Sequence, residues 1–153
     1  MSRTNMYAKH TTVSLERTQQ QIAHCLRIYG ADGFAVGHER GIGVVRFTFG
    51  RLVVEFRIFL PDDEAVSKTN KGYRRSTSKV AGAREQEERR LWRALLLAIK
   101  SKLECVESGI STIEKEFLPF VVMGDGRVLS DHLLPALIAA REGEPMPKLL
   151  TAS

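Results

Sequence analysis

Little in this chain invites a chemical motif. Its two cysteines, Cys25 and Cys105, form no Cys-x-x-Cys, and its four histidines, His10, His24, His38 and His132, fall on separate segments with no His-Glu-x-x-His spacing. A zinc site needs such ligands clustered at fixed intervals, so no metal site is expected. The apolar runs at 94–99, 117–123 and 133–140 stop well short of the roughly 18 residues of a membrane span, and no membrane helix is expected. No apolar segment follows Arg3 and Lys9, so the sequence predicts no secretory signal and a cytoplasmic chain whose thiols stay reduced. Proline (5) and glycine (12) are too few for a linker or a collagen-like repeat, and 43% hydrophobic residues exclude wholesale disorder. With 153 residues, the chain is long enough for one core and too short for two full-sized domains.

What the chain does have is charge in one place. The 23 lysines and arginines exceed the 18 acids by five, yet between positions 68 and 93 nine cations face three glutamates, a local +6 that leaves −1 for the remainder. Such a footprint acts on polyanions and on acidic protein surfaces alike. Within it, Lys68, Lys71, Tyr73, Arg74, Arg75 and Lys79 set an aromatic ring among cations, a composition that neutralises phosphates and stacks on a base. The bland reading, a solvated loop serving solubility, has the same composition.

Periodicity organises the rest. Residues 1–13 show no period and read as an N-terminal arm. Leu15, Ile22, Leu26 and Tyr29 repeat at helical spacing between a Ser14 cap and Gly30. Three strands follow: Phe34 and Val36, then Val45, Phe47 and Phe49, then Val54, Phe56, Ile58 and Leu60. A two-residue turn at Gly50-Arg51 pairs Phe49 with Leu52, Phe47 with Val54 and Val45 with Phe56, and sets Arg46 opposite Glu55 on the other face. From Pro61 to Gly82 there is no apolar period, and the segment reads as a basic loop; structureless connections beyond about 12–15 residues are mostly functional or disordered. A long helix is expected from about Ala83 to Ser108, with Trp92, Leu95, Leu96, Ile99, Leu103 and Val106 as its stripe and a Glu85–Arg89 pair on its surface. A short helix after a Ser111 capping box, a hairpin around Gly124-Asp125-Gly126 and a last helix capped by Ser130 complete the chain.

Competing chemistry is weaker. Cys25 and Cys105 adjoin apolar stripes and read as small core residues. Pro61-Asp62-Asp63-Glu64 lacks the second-strand Asp/Glu-x-Lys of a metal nuclease and reads as a solvated turn, while Gly37, Gly41 and Gly43 are too sparse for a phosphate loop.

The runs Ser108-Gly109-Ile110-Ser111-Thr112, Glu116-Phe117-Leu118, Gly124-Asp125-Gly126-Arg127 and Met146-Pro147-Lys148-Leu149-Leu150, with Tyr29-Gly30-Ala31, Gly33-Phe34 and Trp92-Arg93-Ala94-Leu95, resemble a family of small bacteriophage and prophage proteins. That family often has proline where this chain has Gly124, a departure confined to the turn. The resemblance implies a phage setting in a bacterial cytoplasm and carries over no catalytic residue. The order helix, three antiparallel strands, helix is also similar to the layout of double-stranded-RNA-binding domains, which place a basic helix N-terminus on phosphates. That similarity would put Lys79 and Arg84 there, and Gly37-His38 at a minor groove; the insertion at 61–82 and the C-terminal third depart from it.

The sequence therefore predicts a single-domain α+β fold over residues 14–150, an αβββα core followed by a short helix, a β-hairpin and a terminal helix. Binding is expected rather than catalysis, with no cofactor. The expected partner is nucleic acid, contacted by Lys68, Lys71, Tyr73, Arg74, Arg75, Lys79 and Arg84; the alternative is an inhibitor or modulator of a host protein such as a defence or replication factor.

Overall fold

The computed structural model describes the backbone of residues 3–149 and the side chains from Leu15 onward. Helix α1 spans Arg3–Ile28, so residues 3–13 of the expected arm lie within the helix, and the arm's first two residues lie outside the described ones. No glycine or proline interrupts residues 3–28, and a nucleated helix propagates until something stops it. The stop is Gly30 at φ +92°, where the Ala31 amide reaches back to the Leu26 carbonyl at 3.0 Å and closes the last turn.

Strands β1 (Gly33–Glu39), β2 (Ile42–Phe49) and β3 (Leu52–Phe59) form an antiparallel sheet in the order β1-β2-β3. The β2–β3 register is the one the Gly50-Arg51 turn requires: Phe49 opposite Leu52, Phe47 opposite Val54, Val45 opposite Phe56 and Arg46 opposite Glu55. Gly50 takes φ +58°, as the first position of a type II′ turn demands. The tip between β1 and β2 puts Arg40 (φ 48°) and Gly41 (φ 78°) both in the left-handed region, the type I′ signature, and Arg40 alone among the described non-glycine residues has positive φ.

Helix α2 spans Thr77–Glu107, longer than expected at its start. Gly82 reads as a break in the sequence, but one interior glycine costs only about 1 kcal/mol, which the rest of so long a helix absorbs. Its stripe is buried as expected at Trp92, Leu95, Leu96, Ile99 and Leu103. Gly43 in β2 has no side chain because Trp92 is there: a Cβ would stand 3.2 Å from its Cζ2.

Helix α3 (Ile113–Phe117) is capped by Thr112, one residue later than the Ser111 box predicts, with the Lys115 amide donating to Thr112 Oγ1 at 3.3 Å. Phe117 is fully buried among Phe47, Phe49 and Phe56, and a 3-10 turn at Leu118–Phe120 stacks Phe120 on Phe56 at 4.1 Å. Val122 then donates to the Val53 carbonyl at 2.8 Å, extending the β3 edge, and the expected hairpin reduces to a Val122–Val128 bridge around Gly124-Asp125-Gly126. Helix α4 (Leu129–Arg141) follows at once, so Ser130 lies inside it rather than capping it. The segment from Ile113 to Phe120 thus closes over the same core, and the chain is a single-domain α+β fold.

On the outer sheet face Glu55 is 3% exposed, with Arg46 Nε donating to it at 2.9 Å and Arg57 Nε at 2.8 Å. Burial is the largest influence on its carboxyl and pushes it up, but the bonds and charges of the two guanidiniums together outweigh it and hold Glu55 below its ordinary value.

Candidate nucleic-acid interface

Between β3 and α2 the chain runs through residues 60–76, shorter than the 61–82 loop the sequence predicts, because Thr77 through Gly82 belong to α2. The segment is ordered by its own short polar residues. Asp62 accepts from the Ala65 amide at 2.8 Å, Ser67 Oγ donates to the Glu64 carbonyl at 2.7 Å, and Val66 is buried beneath them. The acidic run is thus an Asx-type turn, as the sequence favours.

A miniature antiparallel turn follows. Lys68 bridges Arg74, Thr69 N donates to the Tyr73 carbonyl and Gly72 N to the Thr69 carbonyl, both at 2.8 Å, and Gly72 at φ +81° supplies the bend. Arg75 locks this turn from inside. Its amide donates to the Ser67 carbonyl at 2.7 Å, and its Nη1 donates to the carbonyls of Val66 (2.7 Å) and Lys68 (2.6 Å).

The seven residues expected at the interface therefore divide. Lys68, Lys71, Tyr73 and Arg74 sit together on the turn and are exposed, the Tyr73 ring by 71%. Lys79 is exposed in the first turn of α2. Arg75 faces inward on loop carbonyls, and Arg84, about two turns into α2 rather than at its start, is held by Asp63 at 2.6 Å. No ion pair engages Lys68, Lys71, Arg74 or Lys79 among the described residues.

The sequence reading missed three arginines as site residues, although it counted them in the charge. Arg89, Arg90 and Arg93 line a cavity of about 330 Å³ with Thr18 and Gln86. The expected Glu85–Arg89 pair does not form; Glu87 instead takes Arg90 at i,i+3, with Nε–Oε2 at 2.8 Å. The helical count that selects Trp92, Leu95 and Leu96 for the core puts Arg89 and Arg93 on a shared face one turn apart, which is the signal that finds them.

Elsewhere, a cavity of about 680 Å³ between α1 and α2 is lined by His24, Cys25, Tyr29, Lys100 and Glu104. Burial, only partly opposed by Lys100, pushes the Cys25 thiol up, the opposite of what an activated nucleophile needs. No group of three or more His, Cys, Asp or Glu residues gathers to hold a metal ion among the described residues, and no described helix is long and apolar enough to cross a membrane. Compared with protein-family models, curated proteins and solved structures, the chain matches none.

Proposed function

We propose that the protein binds nucleic acid through the turn at Lys68–Arg74 and the start of α2, as a phage accessory protein of the host cytoplasm. One observation carries the reading: three cations and an exposed tyrosine are presented on a turn whose shape the inward Arg75 fixes beforehand. A preorganised cationic turn loses less conformational entropy on binding than a floppy one, so more of each phosphate contact appears as affinity. The phage setting rests on the sequence resemblance, and the element order helix, three strands, helix supports the nucleic-acid reading by analogy of layout alone.

The test is to replace Lys71 and Arg74 with alanine, both exposed, and to measure affinity for duplex and single-stranded DNA and RNA of unrelated sequences. Affinity should fall alike across sequences, because these groups meet phosphates rather than base edges. Tyr73→Ala should weaken single strands by about 1–3 kcal/mol and duplexes little. Unchanged affinity in the double variant removes the turn from the interface.

A second reading, a modulator docking on a host protein, is favoured by α4, which exposes Leu134, Leu137 and Ile138 by 44–48%. Capture of a host protein that depends on Leu137 and is indifferent to Arg74 would favour it over nucleic acid.

A further inference from the structure

The cavity lined by Thr18, Gln86, Arg89, Arg90 and Arg93 contains three guanidiniums, a hydroxyl, an amide and no carboxylate. Its volume, about 330 Å³, falls at the lower end of small-molecule clefts, roughly 300–1,000 Å³. Arg90 brings its own counter-charge, Glu87. Arg89 and Arg93 have none within ion-pair distance among the described residues, so the cavity keeps two uncompensated cations one helical turn apart. Moreover, Arg89 Nε is buried with no hydrogen-bond partner. A buried donor left unpaired is costly and uncommon. The other such atom, Trp92 Nε1, belongs to the ring over Gly43 and is not part of this lining.

From this we infer a phosphate site: the Arg89 and Arg93 guanidiniums grip the oxygens of one phosphate group, with Gln86 at the rim. Planar guanidinium forks match tetrahedral phosphate oxygens two at a time, and a doubly charged or bridging phosphate suits two free cations better than a single carboxylate does. The site adjoins the basic turn. Gln86 and Arg90 also line the neighbouring cavity of about 560 Å³, whose wall includes Lys68 and Arg75. A nucleic-acid backbone lying on Lys68 would therefore continue across Arg90 into this seat. That continuation rests on the function proposed above; the phosphate chemistry does not, since a free pyrophosphate or a nucleotide tail presents the same oxygens.

The experiment observes arginine Nε–H resonances of the full chain by nitrogen-edited NMR, with Arg89 assigned through its disappearance in Arg89→Lys. Pyrophosphate and an eight-nucleotide DNA strand are titrated separately at constant ionic strength. A saturable shift of the Arg89 Nε–H, weakened about tenfold by Arg93→Gln, is the expected result. A shift with both probes identifies a general phosphate seat, and a shift with DNA alone identifies a backbone subsite. If DNA moves the Lys68–Arg74 amides and neither probe moves Arg89, the site is refuted while the interface stands. If pyrophosphate moves Arg89 and DNA moves nothing, the site stands and the nucleic-acid reading fails. If polyglutamate shifts Arg89 and neither phosphate probe does, the cavity takes acidic peptides and the inference is wrong.

Discussion

Arg74→Ala and Arg75→Ala each remove one positive charge from adjacent positions, yet they should behave as opposites. Arg74 is exposed and bears only charge, whereas the Arg75 guanidinium donates to the Val66 and Lys68 carbonyls at 2.7 and 2.6 Å. Hydrogen bonds from charged donors contribute about 1.5–3 kcal/mol each at face value. Arg75 is only half-buried, so solvent takes part of that, and about 2 kcal/mol for the pair is a reasonable working figure. At about 1.4 kcal/mol per factor of ten, its loss raises the open population of the turn roughly 30-fold. Hydrogen exchange reads this directly at the Thr69, Gly72 and Arg75 amides, which the turn protects. Arg75→Ala should accelerate their exchange by about that factor, with tryptic cleavage at Lys68 and Lys71 rising in step and the melting temperature falling by about 4–8 °C, because the same ~2 kcal/mol is lost from the folded state as a whole. Arg74→Ala should leave exchange alone. Equal exchange in the two variants would show that Arg75 holds nothing and that the turn is not preorganised.

Truncating Phe117 to alanine should cost about 3–5 kcal/mol in urea unfolding and preserve a single transition, because its ring meets Phe47, Phe49 and Phe56; a loss below about 1 kcal/mol would detach the segment from Ile113 to Phe120 from the core. Glu55 has its carboxyl held below the ordinary 4.5, so its contribution is complete above that value and is lost as pH falls through the lower folded value. Glu55→Gln should therefore flatten the acid limb of stability against pH below about 4.5, and an unchanged limb would show that the Arg46 and Arg57 contacts contribute nothing.

The parts of the fold that were legible in the sequence are those where two local signals agree. At Gly50-Arg51, turn chemistry and alternation both demand the Val45–Phe56 pairing, and a slip by one residue would turn Phe47 and Val54 outward. The α2 stripe was legible for the same reason. The start of α2 was not, because Gly82 mimics a stop and the Val80–Ala83 contribution to burial is too slight to show as a period. The candidate site was legible as charge and illegible as roles. Nothing in Arg74-Arg75 tells which side chain faces carbonyls; that follows from the Lys68–Arg74 bridge, a contact made only once the turn exists. Likewise Arg84 looks as available as Lys79 until Asp63 folds back onto it.

The most direct test of the central claim is the salt dependence of nucleic-acid affinity. Each phosphate neutralised on duplex DNA adds about 0.9 to the slope of log affinity against log salt. Lys68, Lys71, Arg74 and Lys79 are the exposed cations free of ion pairs on the turn and the helix start among the described residues, and four such contacts give a slope of about −3.6. The account predicts measurable binding at about 50 mM salt and that slope, reduced to about −1.8 in the Lys71→Ala/Arg74→Ala variant. Absence of binding to both DNA and RNA at about 50 mM salt, where attraction is least screened, would contradict it.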